Sequence, residues 1–280
     1  MENIYQLLDT LLPFAWLDHN FMKNAFLAVI LVTPLFGLLS TMVVSNRMAF
    51  FADSLGHGAF TGIAIGVLLG SMSPLLSLIV FSVVFAVVIT YIKEKSNAAA
   101  DTIIGVFSSM AVAVGLMMMS YGGGFNKFSS YLIGDVLSIT PEDLGALLTA
   151  VVLIYLIWGI IFNDLLVISI NPIFARSRGI KVFWMESFFA AAVAVVVAVS
   201  IQWVGLLIIN SLLVLPAAAA RNMTNNVKQY HAVSIGIALF AGISGLMAAY
   251  YFNMAAGATI VVIAAALFFV SLCCKRYFVR

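Results

Sequence analysis

Asp53 and His57 are the residues of this chain best equipped for chemistry. They stand four apart in "NRMAFFADSLGHGAFTGIAIG", so a helix stacks both side chains on one face, with Thr61 a turn further on. A carboxylate beside an imidazole is a ligand pair for zinc, manganese or ferrous iron. Counted from Arg47 at about 1.5 Å per residue, the two positions lie roughly 9 and 15 Å along such a helix. If the helix crosses a membrane, that depth is near the bilayer centre. A carboxylate there costs at least about 2.5 to 3.5 kcal/mol unless an ion, a partner or a water-filled cavity meets it. Spacing alone leaves three readings open: metal handling, a carboxylate–imidazole hydrogen bond that ties two helices together, and a proton relay. No HExxH motif occurs, and no serine or cysteine motif accompanies His57, so proteolysis is unmarked. No GxxxxGK[ST] loop occurs either. If ATP drives this protein, another subunit must bind it.

The composition supplies the membrane. Of 280 residues, 64% are hydrophobic and 9% charged, against about 25% charged in soluble domains. The apolar residues fall in runs of about 20, the length of helix that spans a hydrocarbon core of about 30 Å. Stretches such as "AAAVAVVVAVSI" are apolar on every face, which excludes the alternation of a β-barrel. The expected fold is therefore an all-α, polytopic bundle of eight to nine transmembrane helices. Candidate spans are 24–44, 50–71, 74–92, 102–120, 143–163, 182–201, 203–220, 232–251 and 256–273. With the N-terminus outside, the cytoplasmic side receives Arg47, Lys93, Lys95, Arg176, Arg178, Lys181, Arg221, Lys228, Lys275, Arg276 and Arg280. Only Lys23 and Lys127 are left outside. That asymmetry predicts an N-out, C-in path. The net charge of +2 and the lack of a long basic run exclude a nucleic-acid surface.

Three parts are expected: an outer interfacial helix over 1–22 containing Trp16, one transmembrane domain over 23–274, and a cytoplasmic tail over 275–280. The first basic residue is Lys23, so a cleavable signal peptide is not expected and 24–44 is read as a retained span. Gly58, Gly62, Gly66 and Gly70 recur every four residues on the Asp53 helix, a stripe that lets another helix approach closely. Asp101 opens the fourth span, where an acid favours a helix N-terminus. Glu186 sits one turn past Lys181 and is placed to pair with it. Pro216 is able to kink the seventh span, yet membrane helices tolerate proline well, and Cys273 and Cys274 read as helix-end residues. In the cytoplasmic segment 171–181, Asn171 and Pro172 start a short helix over about 172–178 and Gly179 ends it. This helix, with Arg176 and Arg178 exposed, is either a contact for a partner or a surface loop obeying the positive-inside rule.

Several motifs in order resemble the zinc, manganese and iron permeases of the ATP-binding-cassette importers, and most of all zinc-uptake members. They are "NRMAFFADSLGHGAFTGIAIG", "AADTIIGVFSSMAVAVGL", "SSYLIGDVLSITPEDL", "INPIFARSRGI", "VGLLIINSLLVLPAAAAR" and "AAGATIVV". The resemblance implies a type II importer permease of a bacterial inner membrane, without enzymatic activity or resident cofactor. Its cargo would be a divalent transition metal, zinc first and manganese or iron as alternatives. A proton-coupled secondary metal transporter is the rival mechanism. The family's intramembrane acid and histidine fall on Asp53 and His57. Asp135 would lie on the entry path, with Asp101 and Thr61 as further pathway candidates. Pro172, Ala175, Arg176, Arg178 and Gly179 would contact cytoplasmic ATPase subunits. A second permease copy and an extracytoplasmic metal-binding protein complete the implied assembly. Ser109 departs from zinc members that carry a histidine there.

Overall fold

The computed structural model describes residues 2–12, 14–69, 73–96, 98–122 and 136–278. Its regular structure is helical throughout. In chain order the helices are α1 (Glu2–Leu11), α2 (Asn20–Ser45), α3 (Ala49–Leu69), α4 (Pro74–Lys95), α5 (Ala100–Gly122) and α6 (Pro141–Ile170). They continue with α7 (Pro172–Ser177), α8 (Val182–Val204), α9 (Leu206–Leu212), α10 (Leu215–Arg221), α11 (Val227–Phe252) and α12 (Ala256–Phe278). Eight of them, α2 to α6, α8, α11 and α12, are long and apolar enough to cross a membrane. The chain forms two compact units.

The first unit comprises Met1–Thr41, Ile133–Val151 and Trp203–Arg280. Here α1 is pinned to α2 by an ion pair, Lys23 Nζ to Asp9 Oδ1 at 2.6 Å, and by the Tyr5 hydroxyl donating to Asn24. Ile4 and Leu7 stay exposed along α1, which suits a helix lying in an interface. Trp16 does not join them. It is buried and packs edge-on against Phe26, with ring centroids 5.4 Å apart, so the expected interfacial tryptophan is a core residue. Thr140 and Asp143 cap α6 reciprocally: Asp143 accepts from the Thr140 backbone N–H at 3.0 Å, and its own N–H donates to the Thr140 hydroxyl at 3.3 Å.

The expected seventh span is two short helices, α9 and α10, not one. Pro216 lacks the N–H that would continue the ladder, and it sits in the first turn of α10. The contacts at each end give the segment's direction. Ile208 packs on Gly257 at the start of α12, and the Asn222 amide donates to Ser271 near its end at 3.2 Å. The broken pair thus runs alongside α12 in the same sense for 14 helical residues, about 21 Å, shorter than the roughly 30 Å core that the eight long helices can span.

Glycines set the closest approaches in this unit. A Cβ on Gly245 of α11 would stand 2.5 Å from Ile260 Cγ1 and 2.6 Å from its Cα on α12. We expect Gly245→Ala to lower stability by about 1 to 3 kcal/mol through overpacking. Gly236→Ala on the same helix meets nothing within 4 Å, and should be neutral or slightly stabilising because alanine is the better helix former. Thermal unfolding of the two purified variants checks the pair.

The second unit comprises Met42–Leu132 and Val152–Gln202. At its centre α3 packs on α4 and α5. Gly58 and Gly62 face α4: a Cβ on Gly62 would lie 3.1 Å from Leu78 Cα and 3.2 Å from Phe81 Cβ. The Ser77 hydroxyl donates to the Gly62 carbonyl at 2.8 Å, so the same seam is hydrogen-bonded. Gly66 is buried, and Gly70 lies outside the described residues.

Candidate functional site

Arg47 adopts a left-handed conformation (φ 56) between α2 and α3, and the Met48 N–H closes the turn onto the Val43 carbonyl at 2.8 Å. This tight reversal starts α3 at Ala49. Asp53 and His57 therefore lie about 6 and 12 Å along the helix axis, with His57 close to the middle of the 21-residue span. His57 Nε2 is 3.5 Å from Asp53 Oδ2, a contact within one helix.

The exposure of this pair is unusual for α3. Phe51, Ala52, Ser54, Leu55, Gly56, Gly58 and Ala59 are all buried around it. The Asp53 side chain is nevertheless 43% exposed and that of His57 37%, and Phe50 one turn earlier is 61% exposed. Positions 50, 53 and 57 thus form an outward stripe on the first half of α3, where the neighbouring residues are buried, while Val67 and Leu68 are exposed near its end. Among the described residues, no group of three or more His, Cys, Asp or Glu side chains gathers at one place. One copy of the chain offers two donors here, fewer than zinc or manganese requires.

The other candidates are distributed differently. Thr61 is buried, and its hydroxyl donates to the Ala111 carbonyl of α5, so it joins two helices instead of extending the Asp53–His57 stripe. Asp101 is exposed in the first turn of α5, and Ser109 is exposed on the same helix. Asp135 lies outside the described residues. Cys273 is exposed and Cys274 partly buried near the end of α12, both as free thiols.

Segment 171–181 forms the expected short helix. Asn171 caps α7 by accepting from the Ile173 and Phe174 N–H groups, Pro172 occupies the first turn, and Gly179 (φ +80) reverses the chain in a conformation that favours glycine. Ala175 is fully buried against Ile168 and Val182, which fixes the helix to the ends of α6 and α8. Arg176 pairs with Glu94 at 3.4 Å, and Arg178 lies over the Phe174 ring at 5.4 Å. Ile173 and Phe174 are 78% and 52% exposed. The arginines alone do not signal this exposed apolar surface; the "PIF" run does.

Glu186 does not pair with Lys181. Its carboxylate meets Lys93 Nζ of α4 at 3.0 Å, with both side chains largely buried (15% and 23% exposed), while Lys181 is exposed. Adjacent residues at the end of α4, Lys93 and Glu94, thus reach α8 and α7 respectively.

Eight apolar helices of spanning length, a polar pair inside one of them and an exposed short helix suit a membrane transport permease. Residues 18–275 match the ABC 3 transport family, and the chain belongs to it. Its relatives include the manganese import system permease protein ScaB of Streptococcus gordonii, 28% identical over 91% of each chain. The high-affinity zinc uptake system membrane protein ZnuB of Haemophilus influenzae is also 28% identical, over 89% of this chain and 95% of its own. Among solved structures, a chain of PsaBC from Streptococcus pneumoniae in complex with Fab superposes with a TM-score of 0.80 at 27% identity, covering 97% of this chain and 95% of that one.

Proposed function

We propose that this chain is the permease subunit of an ATP-driven importer of divalent transition metal, with zinc as the first candidate cargo and Asp53 and His57 as its ligands. The observation that carries the reading is the half-exposed carboxylate–imidazole pair flanked by buried residues on a spanning helix. Two copies meeting on the stripe of Phe50, Asp53 and His57 would bring together two carboxylates and two imidazoles. Four such donors suffice for tetrahedral zinc, whereas octahedral manganese would need further oxygen ligands. The manganese and zinc relatives stand at the same 28% identity, so the choice of cargo rests on this donor chemistry.

The same reading assigns ATP hydrolysis to separate subunits that dock on α7, where Ile173 and Phe174 present apolar surface beside Arg178. An extracytoplasmic metal-binding protein delivers the ion from outside. Counting the broken α9–α10 segment as one short crossing gives nine and puts Arg221, Lys228, Lys275 and Arg276 on the same side as Arg47, Lys93 and Arg176, which supports an N-out path. Membership of an ABC family disfavours the proton-coupled alternative, which would work without ATP.

The test is uptake of radioactive zinc in cells that depend on this chain and its neighbouring ATPase. Excess unlabelled zinc is expected to compete at least about tenfold better than manganese or iron, a difference of about 1.4 kcal/mol. Stronger competition by manganese would assign the cargo to manganese and overturn the zinc reading.

A further inference from the structure

The loop between α7 and α8 bounds an open cavity of about 460 Å³, lined by Asp164, Arg178, Gly179, Ile180, Lys181, Trp184, Met185 and Phe188. Two cations and one acid face it, and none of the ion pairs among the described residues includes Asp164, Arg178 or Lys181. The charges are therefore not neutralised by one another. Among the described residues Asp164 has no polar partner, and the Arg178 side chain lies over the Phe174 ring.

The depth of these groups points to a lipid. Helix α6 has 30 residues, about 45 Å, so it outruns a hydrocarbon core of about 30 Å and its last turns lie at headgroup level. Asp164 is 23 residues from the first residue of α6, roughly 35 Å along it. Lys181 directly precedes α8, Trp184 follows one turn later, and Phe188 lies about 10 Å deeper than Lys181. Trp184 and Phe188 are each 55% exposed on one face of α8. Charged groups at headgroup level, a tryptophan at the interface and an exposed ring below them trace the outline of one phospholipid.

The charge set chooses the headgroup. A phosphate satisfies Arg178 and Lys181, while the Asp164 carboxylate repels a purely anionic lipid and accepts hydrogen bonds from a primary ammonium. We propose that this cavity is a binding site for an aminophospholipid of the phosphatidylethanolamine type. Its phosphate lies against Arg178 and Lys181, its ammonium against Asp164, and an acyl chain along Trp184 and Phe188. A choline headgroup fits less well, because its quaternary nitrogen has no hydrogen to donate.

Binding can be read by native mass spectrometry of the purified full-length chain, titrated with phosphatidylethanolamine, phosphatidylcholine or phosphatidylglycerol of matched acyl chains. Phosphatidylethanolamine is expected to bind about fivefold more tightly than either of the others, the scale of one interfacial charge contact. Asp164→Asn should erase or invert its advantage over phosphatidylglycerol. Lys181→Ala, at an exposed position outside the helices, should weaken all three lipids by about fivefold. Equal or tighter binding of phosphatidylglycerol to the unaltered chain overturns the proposal without reference to any variant. So does an unchanged lipid preference in an Asp164→Asn chain that unfolds at the normal temperature. Metal uptake is not the readout, so failure here leaves the transport reading standing, and the reverse also holds.

Discussion

Asp53→Ala is expected to reduce metal uptake to background while the protein still inserts, folds and assembles. Loss of a group that merely orients a metal ligand costs about 10- to 100-fold in affinity or activity, so removal of a ligand itself should cost more. His57→Ala should act in the same direction. Folding should tolerate both changes, since the two side chains are 43% and 37% exposed. A tie between helices predicts something else: Asp53→Ala would lower the unfolding temperature and the amount of protein in the membrane, with uptake per molecule retained. Uptake normalised to membrane-inserted protein, measured together with thermal unfolding, separates the two. Normal uptake per molecule in Asp53→Ala would sink the assignment of the site. If two copies share the ion, a tandem dimer carrying one altered half should keep partial uptake and lose metal affinity.

The Asp53–His57 stripe was legible because an i, i+4 spacing fixes a shared helical face whatever the tertiary fold. Thr61 was not, because eight residues at about 100° each turn it some 80° away from Asp53. That rotation is enough to aim its hydroxyl at α5. Helix α7 was readable almost to the residue, since its start and stop depend on local chemistry: an asparagine cap, a first-turn proline and a glycine with positive φ. The partner of Glu186 depended on packing. Lys181 was the nearest cation in sequence, yet the folded chain brings Lys93 from 93 residues away. Apolar periodicity located the segment before Arg221 but gave no warning that it would break into α9 and α10. Pro216 hinted at a kink, and Gly205 (φ +80) ends α8 just ahead of it. Trp16 shows the same limit, because an aromatic near a polar turn reads as interfacial until Phe26 covers it.

Reversing the charge of Glu186 should be nearly as damaging as removing Asp53, for a different reason. Lys93 and Glu94 end α4 as neighbours; one holds Glu186 at the start of α8 at 3.0 Å and the other holds Arg176 of α7 at 3.4 Å. The opposite end of α4 is seated on α3 through Gly62, Leu78 and Ser77. A displacement of α7 by the proposed ATPase would therefore have a direct route along α4 to the helix that carries Asp53 and His57. Glu186→Lys places two ammonium groups together where both side chains are largely buried. Breaking a buried pair costs about 3 to 5 kcal/mol. Arg176→Glu disturbs a more exposed pair, worth about 0 to 1 kcal/mol to stability, so any large loss of uptake there reflects transmission instead of folding. The decisive variant is the double reversal Lys93→Glu with Glu186→Lys, which restores the pair with its polarity exchanged. We expect the single change to lose at least about tenfold in metal transported per ATP hydrolysed, and the double change to recover most of it, as a coupling of 1 to 3 kcal/mol between neighbours requires. If the double reversal regains stability but not transport per ATP, the pair is a structural tie and the force from α7 travels by another route.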